Sequence, residues 1–145
     1  MTENVPKSPS QETQTTQPAH SLGPVATNAT ISRITDVLAR NAAGGRSWSE
    51  RLIQTDLVMG TFIYQEPGLG NKRHYHATDD EFWVVLQGQL KWEFGDRSTV
   101  DETVIAGPGD VVLARVGRWH SISVVGDEPA IRFAVVTPDV AHLAE

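Results

Sequence analysis

Cysteine is absent from this chain of 145 residues. That excludes disulfides, thiolate metal sites, cysteine nucleophiles and iron–sulfur clusters together, and it is compatible with a reducing cytoplasm. No run approaches the roughly 20 apolar residues that a membrane helix needs, and the first residues lack the apolar core of a signal peptide. A cytoplasmic protein is the expectation. Basic runs are missing too: 12 Lys and Arg stand against 18 Asp and Glu, a net charge of −6. Phosphate binding relies on clustered cations, so neither nucleic acid nor an anionic membrane is expected as a partner. No internal repeat is visible, which excludes two fused copies of one domain.

What is present suits one hydrophobic core, with 39% apolar and 21% charged residues. Residues 1–28 read as a disordered low-complexity tail. They hold Pro6, Pro9, Pro18 and Pro24 among Ser, Thr and Gln, and bury too little to offset their ordering entropy. Residues 29–49 read as a helical segment. Ile31, Ile34 and Leu38 recur at helical spacing beside Val37, with Thr30 as N-cap and Gly44-Gly45 as the stop. A β domain is expected over 50–140. Runs rich in Val, Ile, Phe, Trp and Tyr predict strands near 51–58, 60–65, 72–76, 81–87, 89–95, 102–106, 110–114, 119–125 and 130–136. Glycine, proline and aspartate separate them at Gly88, Gly95-Asp96, Gly107-Pro108-Gly109 and Gly126-Asp127. Many short strands with no helices between them predict an all-β antiparallel sandwich or barrel.

The histidines carry the chemical signal. His74-Tyr75-His76 lies in a strand-like run, where residues i and i+2 share a face about 6–7 Å apart and their imidazoles can converge on one ion. Glu81 follows a turn-like stretch and leads the apolar run Phe82-Trp83-Val84-Val85-Leu86. A carboxylate in that position is drawn toward burial, and a buried charge needs a partner. That run is apolar on both alternating faces, so its outward face needs cover from another subunit or the N-terminal segment. A homodimer is the expected form.

Gly68-x5-His74-x-His76-x4-Glu81-x6-Gly88 resembles the first motif of the cupin superfamily at every specified position. Gly109-x5-Arg115-x-Gly117-x2-His120-x3-Val124 resembles the second, with Arg115 where proline is usual and Val124 where asparagine is usual. Neither position binds metal in that family. The resemblance spans about residues 50–137 and implies a cupin-type double-stranded β-helix, a jelly-roll barrel preceded by a short N-terminal helix. It also implies His74, His76, Glu81 and His120 as ligands of one divalent transition metal. Three imidazoles and a carboxylate suit Fe2+ first, with Mn2+, Ni2+, Co2+, Zn2+ or Cu2+ as alternatives, and leave positions open for substrate or water.

Strand alternation then places Trp83 and Val85 beside Glu81, and Ile122 and Val124 beside His120, as contacts for a small, partly hydrophobic substrate. Arg73, Arg115 and Arg118 stand near ligands in sequence. Arg118, two residues before His120, is the expected anchor for a substrate carboxylate. Trp48, Trp92 and Trp119 are expected in the core or at an interface. Function is less specified, since one fold hosts many chemistries. Dioxygenase-type chemistry comes first, and His74-Tyr75-His76 with Glu81-Phe82 is similar to aromatic-ring-cleaving cupins such as hydroxyanthranilate dioxygenases. An isomerase, lyase or decarboxylase would need a separate acid or base, for which Tyr64 and Tyr75 are the candidates. A non-catalytic ligand-binding or sensory module is the third reading.

Overall fold

Two-residue alternation builds the barrel. In β4 (Glu81–Gln87) the side chains of Glu81, Trp83 and Val85 are buried while that of Phe82 is exposed, and β8 (Trp119–Val125) buries His120, Ile122 and Val124 in the same way. The computed structural model describes residues 27–138. The expected tail over 1–28 therefore lies outside the described residues except for its last two. Asn28, one of those two, is docked: its amide and backbone bond to Gln54 and Leu52 at 2.8 Å.

Helix α1 (Ile34–Arg40) precedes β1 (Ser47–Gln54), β2 (Met59–Gln65), β3 (Gly70–His74), β4, β5 (Gln89–Gly95), β6 (Val100–Ala106), β7 (Val111–Ala114), β8 and β9 (Ala130–Val136). They form two antiparallel sheets, ordered β1-β2-β9-β4-β7 and β3-β8-β5-β6. The double-stranded β-helix expected from the resemblance is the observed fold. The chain passes from β4 in one sheet to β5 in the other through Gly88, at φ 72°. A Cβ there would sit 2.6 Å from the Pro129 carbonyl oxygen, so only glycine makes the crossing.

Two corrections concern the N-terminal segment. The helix covers only Ile34–Arg40 of the expected 29–49, and Arg33 rather than Thr30 occupies its N-cap position, without a side-chain cap bond. Because the helix starts at Ile34, Ile31 lies outside it and no Ile31-Ile34-Leu38 stripe forms. Ile31 is 62% exposed, and Val37 carries the buried contact instead, a gain of about 1.5–3 kcal/mol for one such side chain. The first strand also opens at Ser47, inside the segment read as helical. Trp48 draws it into the sheet by stacking on Phe62 and Tyr64 with centroids at 5.7 and 5.2 Å.

Two apolar clusters result. One fills the barrel around Trp83, Leu90, Trp92 and Phe94. The other lies on the outer face of the five-stranded sheet, where Leu52, Phe62 and Ile131 meet Val37. Buried Glu50 beneath the helix is held by Arg40 at 2.9 and 3.2 Å and by Asn41 at 3.2 Å. Among the described residues, no helix is long and apolar enough to cross a membrane.

Candidate metal centre

The two sheets bring the ligand candidates together from distant parts of the chain. His74 ends β3 and is the register partner of His120 on β8. His76 follows two residues later on the same face, and Glu81 opens β4 opposite Ala114. All four are buried, and one candidate ligand atom from each lies within 4.8 Å of the others. Imidazole centroids are 4.4 Å apart for His74–His120, 5.3 Å for His74–His76 and 5.4 Å for His76–His120. Glu81 Oε2 stands 3.1 Å from His76 Nε2.

Backbone carbonyls fix two tautomers. His74 Nδ1 is 2.6 Å from the Lys72 carbonyl and His120 Nδ1 is 3.0 Å from that of Arg118. A carbonyl only accepts, so Nδ1–H donates in both, and Nε2 becomes the basic nitrogen of each neutral ring. That is the usual device for orienting a metal-binding imidazole. Three such rings and a carboxylate, closely grouped and buried, fit a divalent first-row ion.

The turn between His76 and Glu81 is pinned to its surroundings. Asp80 Oδ1 accepts from the Val116 N–H at 2.8 Å and from Arg115 Nε at 3.1 Å. The Val116 bond, then Arg115, holds the Asp80 carboxyl below its ordinary range. Gly117 N–H donates to the His76 carbonyl at 2.7 Å. Asp79 accepts from the hydroxyls of Thr137 and Thr78, which lower its pKa in turn. The segment carrying His76 is thus fastened to the one leading into His120.

Trp83, Val85, Ile122 and Val124 all face the barrel interior, between 0 and 3% exposed. Trp83 presents its ring to His120 at 5.4 Å. The arginines near the ligands in sequence are engaged elsewhere. Arg73 donates to backbone carbonyls of Glu93, Asp96, Arg97 and Thr99. Arg118 sits in the turn before β8 with Nη2 at 2.7 Å from Asp101 and 3.3 Å from Glu102, its guanidinium 5.4 Å over Phe94. It reaches toward β6, and a substrate carboxylate would have to compete with two protein carboxylates for it.

One lumenal residue escaped the sequence reading. Arg132, in the middle of β9, is 0% exposed. Its Nη1 donates to Gln65 Oε1 at 2.8 Å and its Nη2 to Asn71 Oδ1 at 3.2 Å, joining β9 to β2 and to the strand of His74. Burial pushes the Glu81 carboxyl up to about 7, with Arg132 pulling it back. Burial likewise lowers the Arg132 guanidinium to about 10, with Glu81 opposing. The signal was available: a charge inside the apolar run Ala130–Val136 calls for the argument that singled out Glu81.

The family model for the cupin domain matches residues 61–136, over half of the chain and all four candidate ligands. The chain belongs to the cupin family. This cupin shares its fold with an uncharacterized conserved protein with a double-stranded β-helix domain from Klebsiella pneumoniae subsp. pneumoniae MGH 78578. The TM-score is 0.60 at 22% identity, covering 69% of this chain and 80% of that one. KdgF from Halomonas sp. aligns at TM-score 0.57 and 18% identity, over 65% and 82% of the two chains. Lactobacillus farciminis oxalate decarboxylase, solved as a formate complex, aligns at 0.60 and 20%, over 69% of this cupin and 31% of that chain. No curated protein matches the sequence. The cupin motif's unusual Arg115 now has a physical account, because it donates to the Asp80 carboxylate that holds the ligand turn. Val124, in place of asparagine, packs in the barrel core.

Proposed function

We propose that this cupin is a metal-dependent enzyme acting on a small organic molecule, with dioxygenase-type chemistry at Fe2+ as the leading reading. The observation that carries it is the inventory of buried ionisable side chains. Among the described residues these are Glu50, the four candidate ligands and Arg132, and Glu50 lies outside the barrel beneath α1. The two tyrosines considered as acid or base face away. Tyr64 stacks on Trp48 outside the sheet, and Tyr75 points opposite to His74 and His76 and stacks on Trp119 at 4.7 Å.

Lewis-acid isomerisation or elimination needs a proton carrier beside the metal, and that inventory offers none beyond the ligands themselves. Dioxygenation asks less of the side chains. Held by His74, His76, Glu81 and His120, a ferrous ion would supply open positions for an organic substrate and dioxygen, and a reaction that puts both oxygen atoms into the product would need no outside reductant. The surrounding residues hold the ligands in place and keep the centre dry through Trp83, Val85 and Ile122.

The test is oxygen uptake by Fe2+-loaded protein across a panel of aromatic and carboxylate compounds, with 18O2 to follow both atoms. Uptake matched to product carrying two labelled atoms is the expected result. Turnover without oxygen would replace this reading with the isomerase, lyase or decarboxylase class. Binding without turnover would make the domain a sensory module.

A further inference from the structure

Arg132 is an unusual investment for a barrel interior. Its guanidinium is fully desolvated, and its two hydrogen-bond partners, Gln65 and Asn71, are neutral amides. Its Nε makes no hydrogen bond, nor does the indole Nε1 of Trp92, which is also 0% exposed in the barrel core. Buried donors are nearly always satisfied, and a buried cation is costly without an anion. An apolar side chain in the same place would extend the run Ala130-Ile131 into Phe133-Ala134 without that cost.

Charge counting gives the sign of what is wanted. Neutral His74, His76 and His120 with ionised Glu81 and a divalent ion leave +1 at the centre, and Arg132 raises the lumen to +2. Glu81, the acid that offsets Arg132 electrostatically, is the same carboxylate that a metal would claim. Asn71, bonded to the guanidinium, lies three residues before His74 on the same strand. The cation therefore stands on the ligand-bearing side of the barrel, whereas Arg118 is already paired with Asp101 and Glu102.

We propose that Arg132 is the anchor for the carboxylate of an anionic substrate, so that the site takes small organic acids rather than neutral molecules. This deepens the metal-centred reading and rests on it. A carboxylate seated there would accept from Nε and neutralise the guanidinium, and the acid's remaining atoms would extend toward the open metal positions. Arg132 then acts as a specificity-determining residue, selecting the charge of what enters.

The experiment compares benzoate and propionate with benzamide and propionamide, which differ little in shape. Binding to Mn2+-loaded protein is followed by calorimetry and tryptophan fluorescence. Metal content is measured for every sample by elemental analysis. Wild-type protein is expected to prefer the acids, and Arg132→Met to lose about 30-fold or more in acid affinity with amide affinity and metal content unchanged. Arg132→Lys keeps the charge but loses the planar fork. It should fall between the two, and it carries the test if the methionine variant fails to fold. Equal acid affinity in wild type and variant at equal metal loading overturns the inference while leaving the metal centre standing. Protein that takes up no metal overturns the metal-centred reading instead, and an acid preference that still disappears with Arg132 would continue to support the anchor.

Discussion

The two faces of the five-stranded sheet invert the ordinary distribution of polarity. Its inner face buries Gln65, Glu81 and Arg132 among the apolar residues of the barrel. Its outer face is apolar throughout Phe62, Ile131, Phe133 and Leu86, which meet the helix side, and continues into Phe82, Val111 and Leu113, 39, 64 and 52% exposed. Burying charge is unfavourable and exposing large apolar side chains gains nothing. Stability of the lone chain therefore explains the part of the outer face under the helix, but not the buried charges inside or the exposed Phe82, Val111 and Leu113. We propose that the inner face serves chemistry on an ion and an anion, and that the exposed apolar part of the outer one meets a second copy of the chain.

Substitutions should separate the faces. The largest effect is on the ion: His76→Ala or Glu81→Ala should weaken metal binding by more than about 100-fold, because each removes a direct ligand. Elemental analysis of purified variants checks this against about one divalent ion per chain in the parent. Next, Trp83→Ala on the inner face should cost about 3–5 kcal/mol in urea denaturation, the range for deleting a buried aromatic ring.

The third effect depends on pH. Burial raises the native Glu81 carboxyl to about 7 from its ordinary 4.5, so between those values the native state holds a proton that the unfolded chain has released. Stability of metal-free protein should accordingly fall as pH rises through that window, by roughly 3 kcal/mol in all. The depressed Asp79 and Asp80 carboxyls act with the opposite sign, below 3.8. Bound metal should reverse the Glu81 trend, since the ion requires the ionised carboxylate. Denaturation at pH 5 and pH 8, with and without chelator, reads both slopes. The smallest effect on stability belongs to the outer face, where Leu113→Glu should change it by within about 0.5 kcal/mol. The same substitution should nevertheless convert a dimer to a monomer in light scattering. A parent already monomeric at micromolar concentration removes the proposed role of that face.

Much of this arrangement was readable from alternation and motif spacing. The bounds of β4, β5, β8 and β9 agree with expectation, because each is an apolar or alternating run ended by a glycine, a proline or a charged turn. The ligand candidates converge because parity turns His74 of β3, His76 just beyond it and His120 of β8 to one face, while Glu81 comes from the start of β4 in the facing sheet. The errors share a cause. Ile31 and Ile34 have helical spacing, but spacing does not reveal whether a sheet lies beneath them, and Val37 is the residue that meets one. Trp48 falls in the segment read as helical because its stacking partners, Phe62 and Tyr64, belong to the next strand and do not show in local spacing. Arg132 is missed for a like reason, since distance from His120 along the chain does not show what stands beside a residue across the sheet. Register decides instead: Arg132 lies between Ile63 and Val85 in the sheet, within the barrel.

His74 and His120 face each other as register partners across the β3–β8 pairing. Their separation along the chain is 46 residues, from 74 to 120, and everything from β4 to β7 lies in the loop that this pairing closes. Such closure is a late, entropically expensive event in folding. A nascent or partly folded chain therefore offers only His74-x-His76 with Glu81, an incomplete and weaker ligand set. Tight metal uptake should lag behind collapse and coincide with completion of the topology, so the rate of metal capture would serve as a clock for the last step of folding.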